Sequence, residues 1–504
     1  MKVLLLMVFW LQLVASEDVV VTTVYGQLRG SREKFGEKYV DTFKGIPFAQ
    51  PPTGPLRWVS PRDVSPWSGV RDATSYGPAC PQPDKTQPGV NVTLDEDCLY
   101  LNVFAPQVTA RKPVDRSHMD SNMTYPVMVF IHGGAYVSGT GAIYDSTVIA
   151  LRDVVVVTIN YRLGVLGFLS TGDSAAPGNF GMLDQVLALQ WVKKCISSFG
   201  GKPNQVTIFG ESAGASSVSL HLISPLSKDL FNAVICESGV SLTPWAIATK
   251  TDSLPPRKRA EMLGQDLGCP DTTSSSKLVG CLRSKTADAL TEAGKTIPPS
   301  PSRLEWSPVV DSVSSPTDSF LPENPQALVK KGMSAKVPVI RGINKDEDSN
   351  DLASIPGIEK GMTLDYFKNL IHDFAKNRYR SNHGKIEEAI RQIYIPPNMT
   401  DPVAVRSSCI QFLSDHDFFA PTDLETNLNA KLQTDNPIFL YEFAYRAEHD
   451  PSPKWTGVPH TAELPYVFGI MFSKRKLTPQ KWTEKDKQMS SAIIKMWTNF
   501  AKYG

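Results

Sequence analysis

The sequence predicts an α/β protein: a mostly parallel central sheet flanked by helices, with antiparallel N-terminal edge strands and large loop insertions. Three observations carry this. Short apolar, β-branched runs recur at Val127 to Ile131, Val154 to Asn160, Val206 to Phe209, Phe231 to Cys236, Val337 to Ile340 and Ile438 to Tyr445. Runs of this length without polar alternation are strands buried on both faces. Between them lies helical periodicity: Leu183, Val186, Leu187, Trp191, Cys195 and Phe199 recur every three or four positions until Gly200-Gly201 stops the helix. Strand, helix, strand is the unit of a parallel sheet, whose reactive groups sit in loops at the carboxyl ends of the strands. Before Tyr125 the pattern changes to short alternating strands, Val19 to Val24 and Val40 to Phe43, with many prolines after Phe48. That is an antiparallel edge with surface loops.

Taken in order, the chain opens with Met1-Lys2 and an apolar run from Val3 to Val14, broken only by Gln12. The run is shorter than the roughly 20 residues a membrane-spanning helix needs, and small Ser16 sits where a signal peptidase would cut. Residues 1–16 therefore read as a secretory leader, and 17–504 as one α/β domain with insertions, since no linker or repeat divides it. No later run is long and apolar enough to cross a bilayer, so no integral membrane segment is expected. With 52 Lys and Arg against 51 Asp and Glu, the formal charge of +1 provides no field for nucleic acid. A hydrophobic fraction of 41% is enough for a large core.

Seven cysteines are present. Cys80 with Cys98, and Cys269 with Cys281, flank polar stretches and are placed to close local loops as disulfides, each contributing about 3 kcal/mol through chain entropy. Cys195 and Cys236 lie in apolar periodic segments, where a free thiol is a small core hydrophobe. Cys409 has no evident partner. Sequons at Asn91, Asn122 and Asn398 fall in polar, turn-rich stretches that would accept glycans on a secreted chain.

The chemistry is concentrated at Gly210-Glu211-Ser212-Ala213-Gly214. Alone, Gly-x-Ser-x-Gly is weak. Here it follows the strand Val206 to Phe209 without a gap and opens a helix-compatible run from Ala213 to Leu222. That context turns a strand sharply into a helix and exposes the serine oxygen at the sheet edge, with the helix amides aimed at it. Phe130-Ile131-His132-Gly133-Gly134-Ala135 leaves another strand directly, as a glycine-rich oxyanion loop does, so the amides of Gly134, Ala135 and Ala213 are the candidate donors.

Four blocks, in this order, resemble the type-B carboxylesterase and cholinesterase family: Phe43-Lys44-Gly45-Ile46-Pro47-Phe48-Ala49-Gln50-Pro51-Pro52, Glu96-Asp97-Cys98-Leu99-Tyr100-Leu101-Asn102-Val103, the His132-Gly133-Gly134 loop, and Phe209-Gly210-Glu211-Ser212-Ala213-Gly214. The resemblance covers nearly all of the chain from about Val19. It implies an α/β-hydrolase fold, ester hydrolysis, and a serine, acid, histidine triad in that order.

Eight histidines are present, and His449 and His460 both follow the strand ending near Tyr445. His449 sits in a charged, solvated turn, whereas Gly457-Val458-Pro459-His460-Thr461-Ala462-Glu463 matches the family's catalytic-histidine block. The residues alone do not choose among Asp346, Glu347 and Asp348; the resemblance assigns Glu347. The chain departs from the family at Ala135, Asp348 and Thr461, where glycine is common. Members also usually continue for several tens of residues past Trp497 to Lys502, including a partner for the cysteine matching Cys409, so a shortened C-terminus is expected. The loop from Cys80 to Cys98 has no aromatic residue where the cholinesterases carry a tryptophan, which argues against choline esters.

The expectation is a secreted serine carboxylesterase acting on a small-molecule or lipid ester, with Ser212, His460 and Glu347 as triad. No metal or organic cofactor is expected, since no zinc-type cluster or phosphate cradle is visible. The alternative is a cholinesterase-like binding or adhesion protein that keeps the fold without turnover.

Overall fold

A computed structural model describes residues 17–504, apart from 84–89, 91, 108–123, 299–303, 312–318, 380, 433–434 and 475–479. The leader, Asn91 and Asn122 thus lie outside the described residues. Eleven strands form one sheet: β1 (Glu17–Thr23), β2 (Gly26–Phe35), β3 (Lys38–Pro47), β4 (Val70–Asp72), β5 (Tyr100–Gln107), β6 (Tyr125–Ile131), β7 (Val155–Ile159), β8 (Gly201–Glu211), β9 (Ala233–Glu237), β10 (Val339–Asn344) and β11 (Ile438–Phe443). Their spatial order is β1-β2-β3-β5-β7-β6-β8-β9-β10-β11, with β4 beside β2. The pairs β1/β2, β2/β3, β3/β5 and β5/β7 are antiparallel, and every pair from β7 to β11 is parallel. This is the α/β-hydrolase architecture, with the antiparallel signal confined to the N-terminal edge.

The uninterrupted apolar runs are explained by what covers the sheet. Val127, Val129 and Ile131 of β6 face one core, together with Val186, Leu189 and Val192 of the helix Phe180–Cys195 and Val218 and Leu222 of the helix Ala213–Ile223. Met128 and Phe130 point the other way, into a core with Ile493, Trp497 and Phe500 of the helix Glu484–Tyr503. Period-2 alternation between two apolar layers is what a strand buried on both faces must show.

The Phe180–Cys195 helix ends as the periodicity predicts, through a short 3₁₀ turn to Gly200 at φ 82°. β8 runs longer than its apolar stretch, and β10 begins two residues later than expected and extends to Asn344. β11, expected to be buried on both faces, is the edge strand of the sheet, and Phe439 and Leu440 are exposed despite its apolar sequence. The insertion after β10 builds its own small core from Phe367, Ile371, Val405, Cys409 and Phe412. Cys80–Cys98 and Cys269–Cys281 are disulfides; Cys195, Cys236 and Cys409 are buried free thiols. Among the described residues, no helix is long and apolar enough to cross a membrane.

Candidate active site

Ser212 is the single residue between β8 and the helix Ala213–Ile223, at φ 58° and ψ −125°. A non-glycine residue there carries of order 1–3 kcal/mol of strain, which the surroundings must impose. They do so through the main chain. The Ser212 N–H donates to the Glu237 carbonyl at 2.8 Å, and the Ser212 carbonyl accepts from Ser216 N–H at 2.9 Å. Gly214 is required by close approach, because a Cβ there would drive into the Ile131 carbonyl oxygen of β6.

β6 delivers the second part of the site. Beyond Ile131 the loop turns through Gly134 (φ 107°), Ala135 (φ 54°) and Tyr136 (φ 60°). It is closed by Val137 and Ser138 N–H groups, both 2.9 Å from the Gly134 carbonyl, and by the Tyr161 hydroxyl on the His132 carbonyl at 2.8 Å. A Cβ on Gly133 would lie 3.0 Å from Ser212 Cβ, so the loop passes directly over the serine. The amides of Gly134, Ala135 and Ala213 are left without an acceptor among the described residues. Ala135 takes the left-handed conformation a glycine would adopt without cost, so its methyl group does not divert the loop.

The third part comes from the turn after β10 and a loop near the C-terminus. His460 Nδ1 lies 2.6 Å from Glu347 Oε2, and the His460 N–H donates to the Glu347 carbonyl at 3.1 Å. Glu347 Oε1 accepts the Asn344 N–H at 2.6 Å, so both carboxylate oxygens are engaged. The neighbouring acids take other tasks. Asp346 Oδ2 accepts the Val458 N–H at 2.9 Å and stitches the two loops together, while Asp348 is buried with its N–H on Ser414 Oγ at 3.1 Å. His449 is exposed, as its charged turn implies. Thr461 sits at φ 72°, a genuine outlier for a β-branched residue and the place where the family's glycine is missed.

The electrostatics centre on an unforeseen residue, Glu211. Its Oε1 lies 3.1 Å from His460 Nε2, close enough for an ion pair with a protonated ring but without a hydrogen bond to it. Burial alone would lower the imidazole pKa, but the charges of Glu211 and Glu347 and the bond to Glu347 outweigh it and raise it to about 10. Burial pushes the carboxyls of Glu211, Glu237 and Glu463 up. Glu237 Oε1 accepts the Trp497 Nε1–H at 2.9 Å, and Glu463 accepts from the Asn344 side chain. The Phe418 ring, on a π turn at Asp415–Phe419 between two helices, packs 4.9 Å from the His460 ring. Glu211 was visible in the sequence only as the variable position before the serine, and nothing local marks Glu237, Glu463 or Phe418. Among the described residues, no group of three or more His, Cys, Asp and Glu side chains is arranged to hold a metal ion.

The arrangement presents a serine on a strained bend at a helix start, a glycine loop passing close to it with unpartnered amides, and a histidine hydrogen-bonded to a carboxylate. The model of the carboxylesterase family matches residues 17–504. The chain is 34% identical over 520 residues to neuroligin-2 of Mus musculus, covering 96% of this chain and 60% of that protein. It is 34% identical over 522 residues to neuroligin-3 of Mus musculus, covering 96% and 61%. It is 35% identical over 504 residues to acetylcholinesterase of Bungarus fasciatus, covering 97% and 78%. The chain spans about 60% of the length of the neuroligins it matches. With identity of about a third sustained along almost all of its length, and the family model matched from Glu17 to Gly504, the chain belongs to the carboxylesterase family.

Proposed function

We propose that the protein is a serine hydrolase that cleaves carboxylic esters through an acyl-enzyme on Ser212. The observation that carries this is the strained Ser212 bend at a helix start, passed closely by the glycine loop whose Gly134 and Ala135 amides have no acceptor among the described residues. In the reaction, His460 takes the Ser212 proton as the oxygen attacks the ester carbonyl, and the three amides hold the oxyanion. Glu347 fixes the ring through Nδ1. The alcohol leaves with the proton from Nε2; water, activated by the same ring, then releases the acid. The substrate is a small-molecule or lipid ester, and the loop from Cys80 to Cys98, which lacks an aromatic residue, speaks against a quaternary ammonium group. Two disulfides and the exposed Asn398 sequon support an extracellular, glycosylated setting.

A second reading is a binding or adhesion role. It is favoured by one observation, the pairing of His460 Nε2 with Glu211, and by the similarity to neuroligins. The test is hydrolysis of p-nitrophenyl acetate by the secreted protein and its Ser212→Ala variant from pH 7 to 10. Turnover that Ser212→Ala abolishes supports the esterase reading, and its absence across the range supports the second.

A further inference from the structure

The ends of the Cys80–Cys98 loop are joined to the glycine loop after β6 by two buried side-chain amides. Gln82 is 2% exposed and lies between Pro81 and Pro83, whose rings stiffen the segment. Its Oε1 accepts the Gly139 N–H at 2.9 Å, and its Nε2 donates to the carbonyls of Gly139 and Cys80, each at 3.0 Å. One side chain thus pairs with both main-chain groups of Gly139, as a neighbouring strand would. At the other cysteine, Asn160 after β7 donates from Nδ2 to the Cys98 carbonyl at 3.0 Å and accepts the Gly141 N–H on Oδ1 at 2.9 Å. The returning half of the glycine loop is therefore tied to both ends of the disulfide.

Gly139 in turn lies against the start of the loop. A Cβ on it would collide with His132 Nδ1 and with the Gly133 carbonyl oxygen, so its main chain packs directly on that pair. The two atoms are 2.8 Å apart, and a carbonyl oxygen only accepts, so the ring donates from Nδ1. The Gly133–Gly134 peptide is planar and trans, so a carbonyl fixed on one side aims the Gly134 N–H to the other. That N–H, without an acceptor among the described residues, is a donor for the oxyanion in the esterase reading. We infer that Gln82 is a positioning residue of the oxyanion hole: by clamping Gly139 onto the His132–Gly133 pair, it keeps the Gly134 N–H aimed. This inference rests on the esterase reading and deepens it, by placing a support of the donor loop at the Cys80–Cys98 disulfide. Without the clamp Gly139 can lift and the Gly133–Gly134 peptide can rotate, while Ser212, Glu347 and His460 keep their places.

The test compares the full chain with Gln82→Met, which keeps the volume and removes the hydrogen bonds, and with Gln82→Asn, which keeps an amide but shortens its reach by one methylene. The first readout needs no turnover: hydrogen exchange of the peptide spanning 133–141, followed by mass spectrometry. Exchange there is expected to quicken about tenfold in Gln82→Met and less in Gln82→Asn, with the peptides of β8 unchanged. The second readout is ester kinetics beside the affinity of a trifluoromethyl ketone, whose adduct on a serine carries an oxyanion. A displaced donor is expected to cost about 10- to 100-fold in kcat and in affinity for the ketone, with little change in KM. Loop exchange unchanged in both variants overturns the inference even if esters are cleaved. So does faster loop exchange with kcat and ketone affinity unchanged, and so does activity lost in both variants with exchange rising equally across the sheet. Faster loop exchange in a chain that, in its wild-type form, no fluorophosphonate labels at any pH upholds the clamp and removes the esterase reading instead.

Discussion

Around Ser212 the main chain governs geometry. The serine amide is tied to Glu237, the bend is closed by Gly214 against Ile131, and the receiving amides come from a loop locked by its own hydrogen bonds. Around His460 the side chains govern. The ring is held by Glu347 and Glu211, the loop by Asp346, and the backbone takes a left-handed turn at Thr461 that no glycine eases. The nucleophile is thus fixed by shape and the base by charge. Shape is insensitive to pH and unforgiving of added atoms. Charge responds to pH and to an isosteric change that removes it.

The largest expected effect tests the shape-governed half. Ser212→Ala is expected to lower ester turnover by about 10⁴-fold or more without unfolding the chain, read by steady-state kinetics beside a thermal melt. Glu347→Gln strikes the other half, leaving the loop packed but the ring unoriented, and is expected to cost about 10²- to 10⁴-fold in kcat. Gly214→Ala is expected to act on folding itself. Its methyl group meets the main chain of β6, and a loss of about 2–3 kcal/mol in urea unfolding is expected. Thr461→Gly reverses the sign, relieving the left-handed strain and stabilising by about 1 kcal/mol in the same assay.

The remaining test sharpens the contrast through pH. With the folded His460 pKa near 10, above the ordinary 6.5, its contribution to stability is complete below about pH 6.5 and is lost as pH rises through 10. The raised carboxyls of Glu211, Glu237 and Glu463 act in the same direction, since the fold keeps protons that the unfolded chain has released above pH 4.5. The melting temperature is therefore expected to fall by a few degrees toward alkaline pH, while turnover, which needs neutral His460, rises about tenfold per unit below that pKa. A rate flat from pH 5 to 8 would contradict the assignment of the base.

The legibility of the molecule follows the same division. Strands β6 to β10 could be read because burial on both faces leaves continuous apolar runs, and Ser212 and the Gly134 loop because glycine spacing records backbone geometry directly. β2 (GQLRGSREKF) and β5 were not foreseen. β2 is largely polar and partly exposed, and β5 overlaps a block notable for its motif rather than its period. The helices from Leu364 to Leu432 were not foreseen, although Leu364–Arg378 and His383–Tyr394 are more strongly amphipathic than Phe180–Cys195; several of them bury a small separate core away from the sheet. Glu347 and His460 needed the family resemblance, since 113 residues separate two side chains now 2.6 Å apart. Glu211, Glu237 and Glu463 meet only in three dimensions, and a buried acid is indistinguishable in sequence from a solvated one.

The central claim is that one hydroxyl, on Ser212, is chemically competent. The most direct measurement is to treat the full chain with a fluorophosphonate from pH 7 to 10 and locate the adduct by peptide mass spectrometry. The account predicts one adduct, on Ser212, absent from Ser212→Ala and formed faster as pH rises. No adduct across that range, or an adduct on another serine with Ser212 unmodified, would contradict it.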